Sequence, residues 1–179
     1  MKKRFIWTIV IFVLFPFHQF SNAADLTLSN TPTHVCFSPY GGCTNAIVSE
    51  INNAKSEVLV QAYSFTSAPI AKALLNVHKR GMKVEVILDM SQRTDKYTSA
   101  TFLVNSGVPT YIDDKHAIAH NKVMVIDRET VITGSFNFTK AAEDKNAENL
   151  LIIRNKDLAK IYMENWDKHR GHSEEYRGR

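Results

Sequence analysis

The sequence predicts a single α/β domain, a mixed β-sheet flanked by helices on both faces. Three observations carry that expectation. Apolar segments of strand length alternate with amphipathic segments of helix length, and the first of them form strand–helix–strand units. The chain has 179 residues, enough for one well-packed domain and too few for two substantial ones. No solenoid-length repeat, low-complexity tract or internal linker interrupts it. With 44% hydrophobic and 22% charged residues, a disordered or fibrous chain is excluded.

Residues 1–23 read as a secretory signal peptide. Lys2, Lys3 and Arg4 precede an apolar run from Phe5 to Phe17, and Ser21-Asn22-Ala23 supplies a small-residue exit for a cut after Ala23. A retained membrane anchor is the alternative. Against it, the run is 13 residues with Pro16 near its end, whereas a span needs about 20. The domain is therefore expected over residues 24–179, exported to the periplasm or the medium, with no stable membrane association after cleavage. Removing three of the 22 basic residues leaves 19 against 18 acids, so a formal charge of +4 falls to +1. Overall charge then gives no argument for nucleic acid, and any polyanion site has to be a local patch.

His34 to Phe37 reads as a short strand, followed by an amphipathic helix from about Thr44 to Lys55 and a strand from Glu57 to Tyr63. Pro69 opens a helix whose Ile70, Ala73, Leu74 and Val77 share a face and which Gly81 stops. Lys83 to Asp89 is a largely apolar, buried strand. After the polar stretch Ser91 to Thr98 come a short helix near Ala100 to Asn105 and a strand from Val108 to Ile112. Ala117 to Asp127 and Thr130 to Gly134 read as two strands joined by a tight turn at Arg128-Glu129. Ala147 to Arg154 is a further apolar strand, Asp157 to His169 a closing helix, and the tail from Arg170 is expected to be loose.

Export makes Cys36 and Cys43 informative. They enclose Phe-Ser-Pro-Tyr-Gly-Gly, where Pro39 and the Gly41-Gly42 pair can turn the chain back. In an oxidising compartment the pair reads as a disulfide, worth about 2.5 kcal/mol in the chain-entropy picture. Two free thiols are the alternative; a zinc site there lacks ligands, since only His34 is close.

The chemistry concentrates in His120-Asn-Lys122-Val-Met-Val-Ile-Asp127 and Gly134-Ser135-Phe-Asn137. On a strand His120 and Lys122 project together, with Met124 and Ile126 further along the same side. A nucleophile or base beside a fixed positive charge suits attack on a phosphodiester. The returning strand brings Ser135 and Asn137, whose hydroxyl and amide can donate to phosphate oxygens. Glu148, at the mouth of the buried run Leu150 to Ile153, needs a partner and can bond one nitrogen of His120, leaving the other to react. Asp127 has the opposite parity at the strand end, where a structural task suits it better than contact with phosphate.

H-x-K-x4-D followed by G-S-x-N resembles the phospholipase D superfamily, and the short exported chain with one motif is similar to its bacterial Nuc-type endonucleases. Gln61-Ala-Tyr63-Ser-Phe65-Thr66 ahead of a helix and the Asn146 to Asn149 segment extend the likeness. The resemblance implies metal- and cofactor-independent phosphodiester cleavage by two histidines. One forms a phosphohistidine; the other protonates the leaving oxygen and then activates water. By that resemblance His120 fills these roles, Lys122 and Asn137 bind phosphate, Ser135 assists, Glu148 orients His120, and Asp127 completes the motif. DNA, with RNA as a second candidate, is the implied substrate, and a phospholipid diester is the rival. Two histidines are required, yet His34, His78, His116, His169 and His172 all lack a lysine two residues on. A homodimer sharing one composite site supplies the second copy.

Blander readings stand elsewhere. His116 and His120, four apart, would pair on a metal if helical, but a strand sets them about 13 Å apart; His116 is then a rim residue and no metal site is expected. Asp113-Asp114-Lys115 reads as a solvated turn. Trp166, at helical spacing from Tyr162 and Met163, reads as core or dimer packing.

Overall fold

Eight strands form one sheet across the described residues, 23–178, of a computed structural model. The predicted signal peptide lies outside them except for Ala23. The elements run β1 (Thr33–Ser38), α1 (Cys43–Asn52), β2 (Glu57–Ala62), α2 (Ala68–Lys79), β3 (Lys83–Asp89), α3 (Ala100–Asn105), β4 (Thr110–Asp113) and β5 (Lys122–Ile126). Then follow β6 (Thr130–Gly134), α4 (Lys140–Asp144), β7 (Glu148–Arg154), α5 (Lys156–His172) and β8 (Glu174–Glu175). The sheet order is β1-β7-β6-β5-β2-β3-β4-β8. β2, β3 and β4 are parallel, connected by α2 and α3, and every other pairing is antiparallel.

The two-residue period of the central strands sorts their side chains onto two cores. Val58, Val60 and Ala62 of β2 join Met124 and Ile126 of β5 on the face covered by α1, α2 and α3. Leu59, Val123, Val125 and Val131 face the other way, beneath α5. Both faces being covered, all six residues of β2 are buried. Trp166 is core packing of α5: it is 2% exposed, and its ring N–H donates to the Val60 carbonyl at 3.0 Å. Pro69 stands in the first turn of α2, where its missing N–H costs nothing.

Cys36 and Cys43 are joined as a disulfide across the turn into α1. The amide N–H groups of Gly42 and Thr44 at the start of that helix donate to Glu143, at 2.9 and 2.7 Å. A carboxylate there both satisfies orphan donors and complements the helix dipole. Glu143 belongs to α4, a short helix absent from the sequence reading.

Four local expectations are corrected. The strand expected from Ala117 starts only at Lys122. The hairpin turn is centred on Asp127 and Arg128, both at positive φ (53° and 59°), with the Glu129 amide donating to the Ile126 carbonyl. The tail is not loose: α5 continues to His172, β8 pairs with β4, and Tyr176 is buried with its hydroxyl 2.9 Å from that of Thr101. Asp113 is not in a solvated turn but fully buried at the end of β4, 2.6 Å from His169 Nδ1. Partners distant along the chain, between the β4 region and the C-terminal segment and invisible to local pattern, account for the last two.

Candidate active site

The C-terminal end of β2 and the starts of β5 and β7 meet at one edge of the sheet, because β5 runs antiparallel to β2. His120, Lys122, Gly134, Ser135, Asn137 and Glu148 line an open hollow there. Five of the six residues predicted to carry the chemistry are thus brought together. Asp127 is not among them.

His120 lies in the loop before β5 and is held without a sheet ladder. The Ala119 amide donates to the buried Asp89 carboxylate at 2.7 Å, and the Asn121 carbonyl accepts from the Tyr63 amide at 2.8 Å. Its neighbours on both sides are therefore anchored, while its own side chain stays exposed. The imidazole packs on Tyr63 with ring centroids 4.4 Å apart. The sequence places Tyr63 in a strand and in the segment that extends the family likeness, but gives no sign of this contact.

Lys122 is 6% exposed, and its ammonium donates to the His120 carbonyl at 2.8 Å and sits 5.0 Å from the Tyr63 ring centroid. Burial pushes it below the ordinary lysine value, with the Glu148 charge pulling the other way. A desolvated cation that bonds no carboxylate among the described residues favours an incoming anion.

Ser135-Phe136-Asn137-Phe138 alternates sharply. Phe136 and Phe138 are fully buried, and Phe138 meets Phe65 edge-on with centroids 6.1 Å apart. The intervening Ser135 and Asn137 are thereby turned to the hollow, and Asn137 Oδ1 is buried without a hydrogen-bond partner among the described residues. Ser135 Oγ donates to Glu148 Oε2 at 2.6 Å and accepts from the Asn149 amide at 3.1 Å. Glu148 Oε1 accepts from Asn146 Nδ2 at 3.1 Å. The expected Glu148–His120 bond is therefore absent among the described residues. Pairing of β6 with β7 sets Glu148 beside Ser135 instead, and the Ser135 proton goes to that carboxylate and not outward.

Asp127 sits at the other end of β5 and ties down the α1–β2 connection. Its carboxylate accepts from the amides of Lys55 (2.9 Å), Ser56 (2.8 Å) and Glu57 (3.1 Å) and from the Ser56 hydroxyl (2.7 Å). Burial raises its pKa, but the Ser56 hydroxyl and the three amides outweigh it and hold the carboxyl below its ordinary value. A folded value below the unfolded one stabilises the protein above about pH 4 and is lost as pH falls through the folded value. Asp127→Asn is expected to cost about 1–2 kcal/mol in denaturant unfolding at pH 7. The gap to wild type should narrow below pH 4; an unchanged gap there would remove the charge from the explanation.

Residues 47–170, well over half the chain, match the family described as cardiolipin synthase, PLD-like domain. The chain belongs to the phospholipase D superfamily. A phospholipase D of Rickettsia felis is 43% identical over 145 residues, covering 81% of this chain and 72% of that protein. Nuc, a phospholipase D family member from Salmonella typhimurium, superposes with a TM-score of 0.80 at 38% identity, covering 83% of this chain and 99% of its own. NucT from Helicobacter pylori does so with 0.75 at 25% identity, covering 82% and 99%. The phospholipase D fold explains why one mixed sheet delivers His120 and Lys122 from one strand entry and Ser135, Asn137 and Glu148 from the neighbouring pair.

Proposed function

We propose that this protein is an exported, non-specific endonuclease that hydrolyses phosphodiester bonds in DNA through a phosphohistidine on His120. The observation that carries the reading is the pairing of an exposed imidazole with a buried Lys122 ammonium in one open hollow. Likeness to Nuc and NucT over nearly their whole length supports nucleic acid as the substrate class. Recognition through phosphate makes cleavage sequence-tolerant and admits RNA as well.

His120 Nε2 or Nδ1 attacks phosphorus, Lys122 and Asn137 neutralise and bind the non-bridging oxygens, and the departing oxygen takes its proton from a second imidazole. Glu148, held by Ser135 and Asn146, supplies a fixed negative charge beside the imidazolium that forms. The second imidazole comes from a second copy of the chain: among the described residues the hollow is lined by one histidine. A homodimer with two hollows facing across a twofold axis completes the site.

The relative named phospholipase D keeps a second reading open, a lipid diester as substrate. No helix among the described residues is long and apolar enough to cross a membrane. Plasmid and phospholipid vesicles offered in parallel, with no divalent cation added and in excess EDTA, separate the readings. Nicking and degradation of plasmid are the expected result. Head-group release without plasmid cleavage transfers the activity to lipid, and cleavage that requires added magnesium ends the histidine mechanism.

A further inference from the structure

A second cluster of functional side chains stands apart from the hollow. Asp113 ends β4, His116 follows three residues later, and His169 and His172 occupy the last turn of α5. The sequence pattern is Asp-x-x-His with His-x-x-His, the two halves 56 residues apart along the chain at Asp113 and His169. One donor atom from each of the four lies within 4.8 Å of every other. His116 Nδ1, His169 Nδ1 and His172 Nε2 approach the Asp113 carboxylate at 3.1, 2.6 and 3.2 Å.

Hydrogen bonding alone accounts for part of this. His116 and His169 each have one nitrogen on Asp113, and the Lys115 amide also donates to it at 3.1 Å. His172 Nε2 is different: it is buried, points at the same carboxylate, and satisfies no hydrogen-bond geometry. The three imidazoles converge with mutually tilted rings, their centroids 4.8–5.3 Å apart. A cation at their centre uses all four donors, the unpartnered His172 Nε2 included.

We propose that Asp113, His116, His169 and His172 form a structural zinc site. Three neutral imidazole nitrogens and one carboxylate oxygen are the donors that borderline-soft zinc takes, and four fill its tetrahedral shell. Zinc bonds of about 2.0–2.1 Å put neighbouring donors roughly 3.3 Å apart. The wider separations, up to 4.8 Å, therefore close on the ion, while His169 Nδ1 and the Asp113 carboxylate move apart from 2.6 Å. The buried Asp113 anchors the site while His116 and His172, with side chains 45% and 32% exposed, leave a path for the ion from solvent.

The site has a mechanical consequence. It ties the end of α5 to the end of β4 and to the loop that runs on from His116 to His120. Zinc therefore fixes the root of the loop that presents His120 and stands outside the hollow where phosphate binds. Its part is to hold that loop and the C-terminal segment, not to touch the reacting atoms.

Untagged protein, stripped with chelator and dialysed, is titrated with zinc and read by calorimetry and elemental analysis; cobalt is substituted in parallel. One zinc per chain, and the intense visible absorption of a tetrahedral cobalt site, are expected. His172→Ala should weaken zinc at least about 100-fold, because ligand removal exceeds the 10–100-fold cost of losing an outer partner; His34→Ala should leave it unchanged. Should His172→Ala fail to fold, ring nitrogen resonances of the wild type give the same answer. On zinc addition those of His116 Nδ1, His169 Nδ1 and His172 Nε2 must move. Substoichiometric zinc, a pale octahedral cobalt spectrum, wild-type affinity in His172→Ala, or unmoved resonances would each overturn the proposal. All of these are read without substrate, so they are independent of whether the protein cleaves DNA or lipid.

Discussion

His120→Ala is expected to lower phosphodiester cleavage by at least about 10⁴-fold, the scale on which enzymes lose a covalent nucleophile. Stability should barely change. The imidazole is exposed, and its neighbours Ala119 and Asn121 keep their own anchors on Asp89 and Tyr63. The loss is therefore assignable to chemistry, and equal melting temperatures for the two proteins are the control. A mixing experiment extends the result to assembly. When His120→Ala subunits are exchanged into wild type, a composite site needing two intact histidines loses activity as the square of the wild-type fraction. A site complete within one chain loses it linearly. A linear decline would dismantle the homodimer.

Gly134→Ala is expected to cost about 3–5 kcal/mol in equilibrium unfolding. Gly134 has φ +146, a backbone conformation that side-chain-bearing residues rarely adopt. An added Cβ would lie 2.3 Å from the Asn149 carbonyl oxygen and 3.0 Å from its carbon. Neither can retreat, because Asn149 O accepts from the amides of both Ser135 and Phe136. The two strands must separate where Ser135 meets Glu148, so activity should fall together with stability. Gly171→Ala, in α5 with nothing within 4 Å, is the matched control and should be neutral or stabilising by up to about 1 kcal/mol. A mild Gly134→Ala phenotype would show that β6 and β7 tolerate separation at this point.

The two predictions draw on different levels of organisation. His120 acts through its own atoms, whereas Gly134 acts through the close approach of two backbones that it permits. For several elements the local sequence signal is sufficient. The strands predicted over Glu57 to Tyr63, Lys83 to Asp89 and Thr130 to Gly134 are signalled by segments of strand length rich in Val, Ile and Leu, and strands form there. Pro69 and Gly81 marked the limits of α2 by backbone chemistry that no tertiary context needs to supply. The motif residues were legible too, because Ser135 and Asn137 alternate with two phenylalanines that have to be buried.

Tertiary structure decided what depends on partners distant in sequence. The alternation of apolar residues back to Ala117 predicts a strand that includes His120. The ladder begins only at Lys122, and the loop is held by Asp89 and Tyr63 instead. Glu148 was matched to His120 as the nearest need for a carboxylate, yet strand register places Ser135 and Asn146 against it. Asp113 looked like a solvated acid among charged neighbours, and the C-terminal residues looked loose. Each was completed by the other: His169 and His172 cover Asp113 from the end of α5, and β8 closes the sheet beside β4. Composition, period and punctuation are local properties and the sequence alone determined them, with the fold class and the motif. The partners of buried charge are set by which ends of which elements the folded sheet brings to one edge, and only the tertiary structure decides that.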